Sequence, residues 1–201
     1  LRDLANSFAQ SIGQSFELAG KLDTLQASFN RMKEAVGATQ LSLERLREAT
    51  KGTVSDVDLL TAANQALALG LPADDLDRLF EAAMKLGHAM GIDTKSAIES
   101  LATGIGRQSK LILDNLGITF QASDAYEWYA KQIGKSVNEL TESEKKLGWQ
   151  KYAIEMVMER ASQLGDVISE TQLRQEQWNA RIENFKASLG RLFAPLSGVY
   201  Q

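Results

Sequence analysis

The chain has 201 residues, 22 basic and 26 acidic side chains, a net charge of −4, two prolines, one histidine and no cysteine. Its length can bury a sizeable core in one helical domain or two small ones, while the missing cysteines exclude disulfides and thiolate metal sites and the lone His88 excludes a polyhistidine site. Charge sums to 0 over residues 1–50, −3 over 51–120 and −1 over 121–201. No basic stripe forms, so no specific nucleic-acid binding is expected.

Ala, Leu, Glu, Gln and Lys dominate over β-branched and aromatic residues, so the fold is expected to be all-α. No run approaches the roughly 20 apolar residues of a membrane span, so no membrane segment is expected in this chain. There is no basic-then-apolar secretory start, and the chain opens on an amphipathic pattern without methionine, so it reads as a piece of a longer parent.

The first fifty residues carry a heptad pattern. Leu1, Phe8, Ser15, Leu22, Phe29, Val36 and Leu43 form one set, and Leu4, Ser11, Leu18, Leu25, Met32, Thr39 and Leu46 the other. Such persistence predicts a long amphipathic coiled-coil helix over residues 1–50. Gly13, Gly20 and the two serines weaken its start, so the firm seam begins at Leu18 and runs through Leu22, Leu25, Phe29, Met32, Val36, Leu43 and Leu46.

Short helices follow over residues 51–122. Ser55 caps a helix that Gly70 ends, Pro72 restarts the chain, and Asp74, Asp75 and Asp77 crowd the positive end of a helix closed by Gly91. That position explains the three carboxylates without a metal. Asp93 or Thr94 caps the next helix, and Gly104-Ile105-Gly106-Arg107 is expected to break it. The Gly-x-Gly pair followed by Arg107 and Lys110 lacks the strand context and third glycine of a dinucleotide site, so it reads as a tight turn between packed helices, the glycines admitting positive φ or close backbone contact. Ser109 caps LILDNL and Gly117 ends it. His88, four residues after Met84, has no nucleophile motif beside it and reads as a packed or surface residue. Glu81, Glu99 and Asp114 could in principle form a carboxylate pair for glycoside hydrolysis, but a helical protein this acidic produces such pairs by chance.

Residues 123–165 continue the head. Ser123 is expected to cap Asp124–Ile133, with Tyr126, Tyr129 and Ile133 buried and Trp128 exposed. Thr141 and Glu144 form a capping box for a helix that runs to Gly165 and carries Gly148-Trp149 in its interior. Residues 166–201 form a second long amphipathic helix, with a seam of Ile168, Trp178, Ile182, Phe185, Leu189 and Leu192 interrupted by Thr171 and Gln175. The expected architecture is a compact multi-helix head bracketed by long coiled-coil-like N- and C-terminal helices. These pair either with each other as an antiparallel hairpin or with other copies, so self-association through the seams remains open.

From Gly52 to Ile118 the chain reads GTVSDVDLLTAANQALALGLP, then LFEAAMKLGHAMGIDTKSAIESLATGIGRQSKLILDNLGI, and from Ala125 to Lys146 AYEWYAKQIGKSVNELTESEKK. This block, about residues 52–146, resembles one that recurs in bacteriophage and prophage tail tape measure proteins. The Gly148-Trp149 pair departs from the family pattern. The resemblance implies a virion structural protein that helps determine tail length and tail tube assembly, placed in the tail lumen and, during assembly, in the host cytoplasm. It implies tail tube and tail assembly proteins as partners, no cofactor, and no catalytic residues to carry over, so no enzyme is expected. The alternatives are a generic coiled-coil scaffold module and, third, a cell-wall hydrolase carried on a tape measure protein.

Overall fold

The computed structural model describes residues 2–165 and 168–197, and the described residues form an all-α fold without strands. The helices are α1 (Arg2–Ala35), α2 (Leu43–Ala49), α3 (Asp56–Ala68), α4 (Leu76–Met90), α5 (Thr94–Gly106), α6 (Lys110–Asp114), α7 (Ala122–Gln132), α8 (Glu142–Leu164) and α9 (Glu170–Ser197). Single 3-10 turns at Ala73–Asp75 and Val137–Glu139 lead into α4 and α8.

The helix expected over residues 1–50 is two helices. Gly37 takes a left-handed conformation at φ 71°, its N–H bonding Glu34 O at 3.1 Å while Ala38 N–H bonds Lys33 O at 2.8 Å. This pair of bonds is a Schellman stop, which satisfies the last carbonyls of α1 and turns the chain away. A local stop signal therefore overrides a seam that continues in sequence. Val36 is left 61% exposed and Thr39 is exposed too, whereas Leu46 is fully buried on α2, behind a Ser42 cap. Leu1 lies outside the described residues, as do the side chains of Leu4 and Phe8.

One core runs through the chain, from Leu22 and Phe29 of α1 through Leu46, Leu59, Phe80, Leu101 and Trp149 to Ala187 of α9. It crosses the sequence positions at 50, 122 and 165 where segments were expected to divide. Helix α3 is its centre, burying Leu59, Leu60, Ala62, Ala63 and Ala66. Full burial of one such leucine or phenylalanine contributes about 1.5–3 kcal/mol. Asn64 of α3 also reaches α1, its Nδ2 donating to Leu25 O at 3.0 Å.

The expected punctuation appears at Ser55, which caps α3, and at Gly91, Ser109 and Gly117. Thr141 and Glu144 form the capping box of α8. Three local expectations are corrected. Helix α5 runs through Gly104 and Gly106 and ends at Arg107, with Gln108 at positive φ. The glycines serve close packing: a Cβ at Gly104 would lie 2.8 Å from Leu113, and one at Gly106 2.6 Å from Leu69. Helix α7 is capped by Gln121, whose N–H is held by Asp124, rather than by Ser123. Ile133 is exposed, while Trp128 is half-buried, its ring packed against Tyr152 of α8.

Candidate functional site

Helix α9 is the element on which a functional surface can be built, because it touches three parts of the head with one side and leaves the other side open. At its start, Gln172 donates from Nε2 to Ile92 O at 3.2 Å and to Glu176 Oε1 at 3.0 Å. Glu176 then enters a buried polar cluster. The hydroxyl of Thr94 donates to Glu176 Oε2 at 2.6 Å, and His88 Nε2 lies 3.2 Å from the same oxygen and 3.3 Å from Thr94 Oγ1. An ionised carboxylate only accepts, so Nε2–H is the donor in this bond, while His88 Nδ1 is buried without a partner. His88 is thus a buried strap residue.

Asp93 rather than Thr94 caps α5, its Oδ1 accepting from Ser96 N at 2.9 Å. Desolvation pushes its carboxyl up, but the hydrogen bonds from Ser96 outweigh this and hold it below the usual range. Beside it, Lys95 pairs with Asp58 at 2.8 Å, and that bond raises the ammonium above its ordinary value. Further along α9, Gln177 donates to Lys51 O at 2.7 Å, and Asn184 accepts from Asp56 N at 2.9 Å. Asp56 is clamped by Arg47 through bonds of 2.7 and 2.8 Å, chiefly responsible for raising the guanidinium's pKa. The N-terminal half of α9 is therefore pinned to the starts of α3 and α5.

The C-terminal half of α9 lies along α1. Gly190 is pressed so closely on α1 that a Cβ there would overlap the Ser15 carbonyl and lie 2.9 Å from the Ala19 Cβ. Ala180 and Ala187 of α9 are buried, and Arg191 pairs with Asp23 of α1. Leu25 and Phe29, toward the end of α1, pack into the head, to which the first half of α9 is also bonded, while Ser15 and Ala19 meet the far end of α9. The two helices therefore run in opposite directions.

This contact divides the sequence-predicted seam residues into two groups. On α1, Leu22 and Phe29 are buried and Leu18, Leu25 and Met32 pack partly buried against the core, as does Leu43 on α2 beside the buried Leu46. On α9, Trp178, Phe185 and Leu192 are 65%, 60% and 68% exposed, Ile182 is 38% exposed and Leu189 is half-buried. The bulky α9 seam therefore faces solvent, and small residues make the intrachain contact. Ile168 precedes α9, half-buried, with Thr171 and Gln175 exposed.

The other candidate chemistry is dispersed. Asp74 and Asp75 lie in the 3-10 turn before α4, and Asp77 pairs with Arg45. Glu81 bonds Lys85 at 2.8 Å, while Glu99 on α5 and Asp114 on α6 are exposed. Asp114 and Lys110 border a cleft of about 370 Å³ that is otherwise lined by Leu111, Leu113, Ile118, Thr119, Phe120 and Gln121. Arg107 and Lys110 are solvated side chains either side of the Ser109 cap. No group of three His, Cys, Asp or Glu placed to hold a metal occurs among the described residues. No described helix is long and apolar enough to cross a membrane. Compared with known proteins, the chain matches no protein-family model and no solved structure.

Proposed function

We propose that this chain is a folded structural segment of a phage or prophage tail tape measure protein, acting in tail-length determination and tail tube assembly. The observation that carries the reading is the block at residues 52–146. Its sequence resembles tape measure segments, and it supplies the packed centre from α3 to the start of α8. In this reading α1 and α9 form a coiled-coil-like antiparallel stalk bracketing the head, and tail tube and tail assembly proteins are its partners. It resides in the tail lumen, after assembly in the host cytoplasm. No catalytic role is part of this reading.

A ruler works because helix length maps linearly onto residue count. In-frame deletion of the segment, with tail length measured by electron microscopy, tests the proposal. The tail should shorten by about 300 Å if the segment is drawn out as continuous helix, at about 1.5 Å per residue. It should shorten by about 50 Å if the folded unit persists, since the 34 residues of α1 span about that length. Tails of unchanged length refute the ruler reading. The second reading, a scaffold module that gathers partners, is favoured by the exposed apolar seam of α9.

A further inference from the structure

The outer face of α9 is laid out as a partner-binding seam. Trp178, Ile182, Phe185, Leu189 and Leu192 follow steps of four, three, four and three residues, the spacing at which one helix keeps a continuous stripe toward another. Placing Ile182 and Leu189 at a, with Trp178, Phe185 and Leu192 at d, puts Ala180 and Ala187 at f, directly opposite. Those two alanines are buried within the fold. Packing against the rest of the fold therefore leaves Trp178, Ile182, Phe185 and Leu192 exposed and Leu189 half-buried. Four exposed large apolar side chains in register on one helix exceed the scattered surface hydrophobes that need no explanation.

The charges flanking the seam define what can cover it. The g positions hold Arg174, Arg181 and Ser188, and the e positions hold Gln172, Asn179, Lys186 and Phe193. Three cations and no acid border the stripe, on a chain whose net charge is −4. Arg174, Arg181 and Lys186 are all exposed. Arg174 touches Glu170 at 3.2 Å, a fully solvated pair that a better partner can displace. A second α9 is a poor partner: a parallel pairing sets Arg181 against Lys186 of the other copy, and an antiparallel pairing sets g against g, the positions of Arg174 and Arg181, with no acid on either flank. Like charges at these positions disfavour pairing, and opposite charges select it.

We propose that the outer face of α9 docks an amphipathic helix of another protein whose apolar seam is flanked by glutamate or aspartate. The inference does not rest on the tape measure reading. Its test uses the full chain and two synthetic helical peptides with identical Leu/Ile seams, one carrying Glu and the other Lys at every flanking position, with binding followed by fluorescence anisotropy of the labelled peptides. The Glu-flanked peptide should bind at least ten-fold more tightly. Combined Arg174→Glu, Arg181→Glu and Lys186→Glu substitution should reverse the preference. Trp178→Ala with Phe185→Ala should abolish binding without lowering the melting temperature, since neither side chain supports the core. Equal binding of the two peptides, binding of neither, or a homodimer by analytical ultracentrifugation that Trp178→Ala with Phe185→Ala dissolves would each overturn the proposal.

Discussion

The same substitution, glycine to alanine, should act with opposite sign on the two paired helices. At Gly20 on α1 a new Cβ meets nothing within 4 Å, so Gly20→Ala gains only helix propensity, about 1 kcal/mol. At Gly190 on α9 the same gain is opposed by overlap with the Ser15 backbone carbonyl and a 2.9 Å approach to the Ala19 Cβ. A backbone atom cannot rotate aside, so the helices must move apart. Overpacking costs about 1–3 kcal/mol, and a clash with backbone belongs at the upper end of that range. Gly190→Ala should therefore lose about 2 kcal/mol net, placing the two variants about 3 kcal/mol apart.

At about 2–4 °C per kcal/mol for a chain of this size, Gly20→Ala should raise the melting temperature by about 2–4 °C and Gly190→Ala lower it by about 4–8 °C. Urea titration followed by far-UV circular dichroism measures the same difference as a shift in midpoint. Gly13→Ala, also in open space, is the control and should behave like Gly20→Ala. If Gly190→Ala is as stable as the parent chain, α9 does not lie on α1 in solution and the antiparallel arrangement is wrong. If its cost varies with protein concentration, the pairing is between copies.

Two further expectations follow from the strap and from the cap of α8. Glu176→Ala leaves the buried Thr94 hydroxyl and His88 Nε2 without their shared acceptor, which should cost about 1–3 kcal/mol. Glu176→Gln keeps an oxygen for Thr94 and should cost less, and equal urea midpoints for Glu176→Ala and the parent chain would refute the strap. Glu144, held chiefly by Lys135 and then by the Thr141 backbone and hydroxyl, titrates at about 2 in the folded chain against an ordinary 4.5. Because the folded value is depressed, its stabilisation is complete above pH 4.5 and is lost as pH falls toward about 2. Glu144→Gln should flatten this part of the stability profile, as measured by urea midpoints between those two pH values.

Where a helix starts or stops was legible wherever one residue does the work locally. Ser55, Gly91, Ser109, Gly117 and the Thr141–Glu144 pair act through bonds within a few residues, so the sequence contains the whole cause. Gly37 was as legible, yet the seven-residue repeat running past it suggested one continuous helix. The Schellman stop prevails because Leu46 can still reach the core after the turn. Gly104 and Gly106 mislead in the other direction. Glycine signals a turn and a close contact equally well, and only the positions of Leu113 and Leu69 show which applies. The Glu176–Thr94–His88 cluster had no sequence signal at all, since its members are brought together from three helices across 88 positions.

The misplaced surface of α9 has a general physical cause. A repeat of large apolar residues marks a face able to pair, but it does not say whether the pairing lies within the chain. Here a second, quieter repeat of small residues, Ala180 and Ala187, is buried on the opposite side, and Gly190 beside them lets the α1 backbone approach. Close approach at that side needs no large side chain, so a search for bulky seams passes over it. The α1 seam differs because its large residues meet α3 and the rest of the core as well as α9, and Asn64 fixes their register at Leu25. One terminal helix thus spends its apolar seam on the fold, and the other closes the fold with alanine and glycine. Trp178, Ile182, Phe185 and Leu192 are consequently unused by the chain's own stability, which is the condition for a binding surface to change partners without unfolding the head.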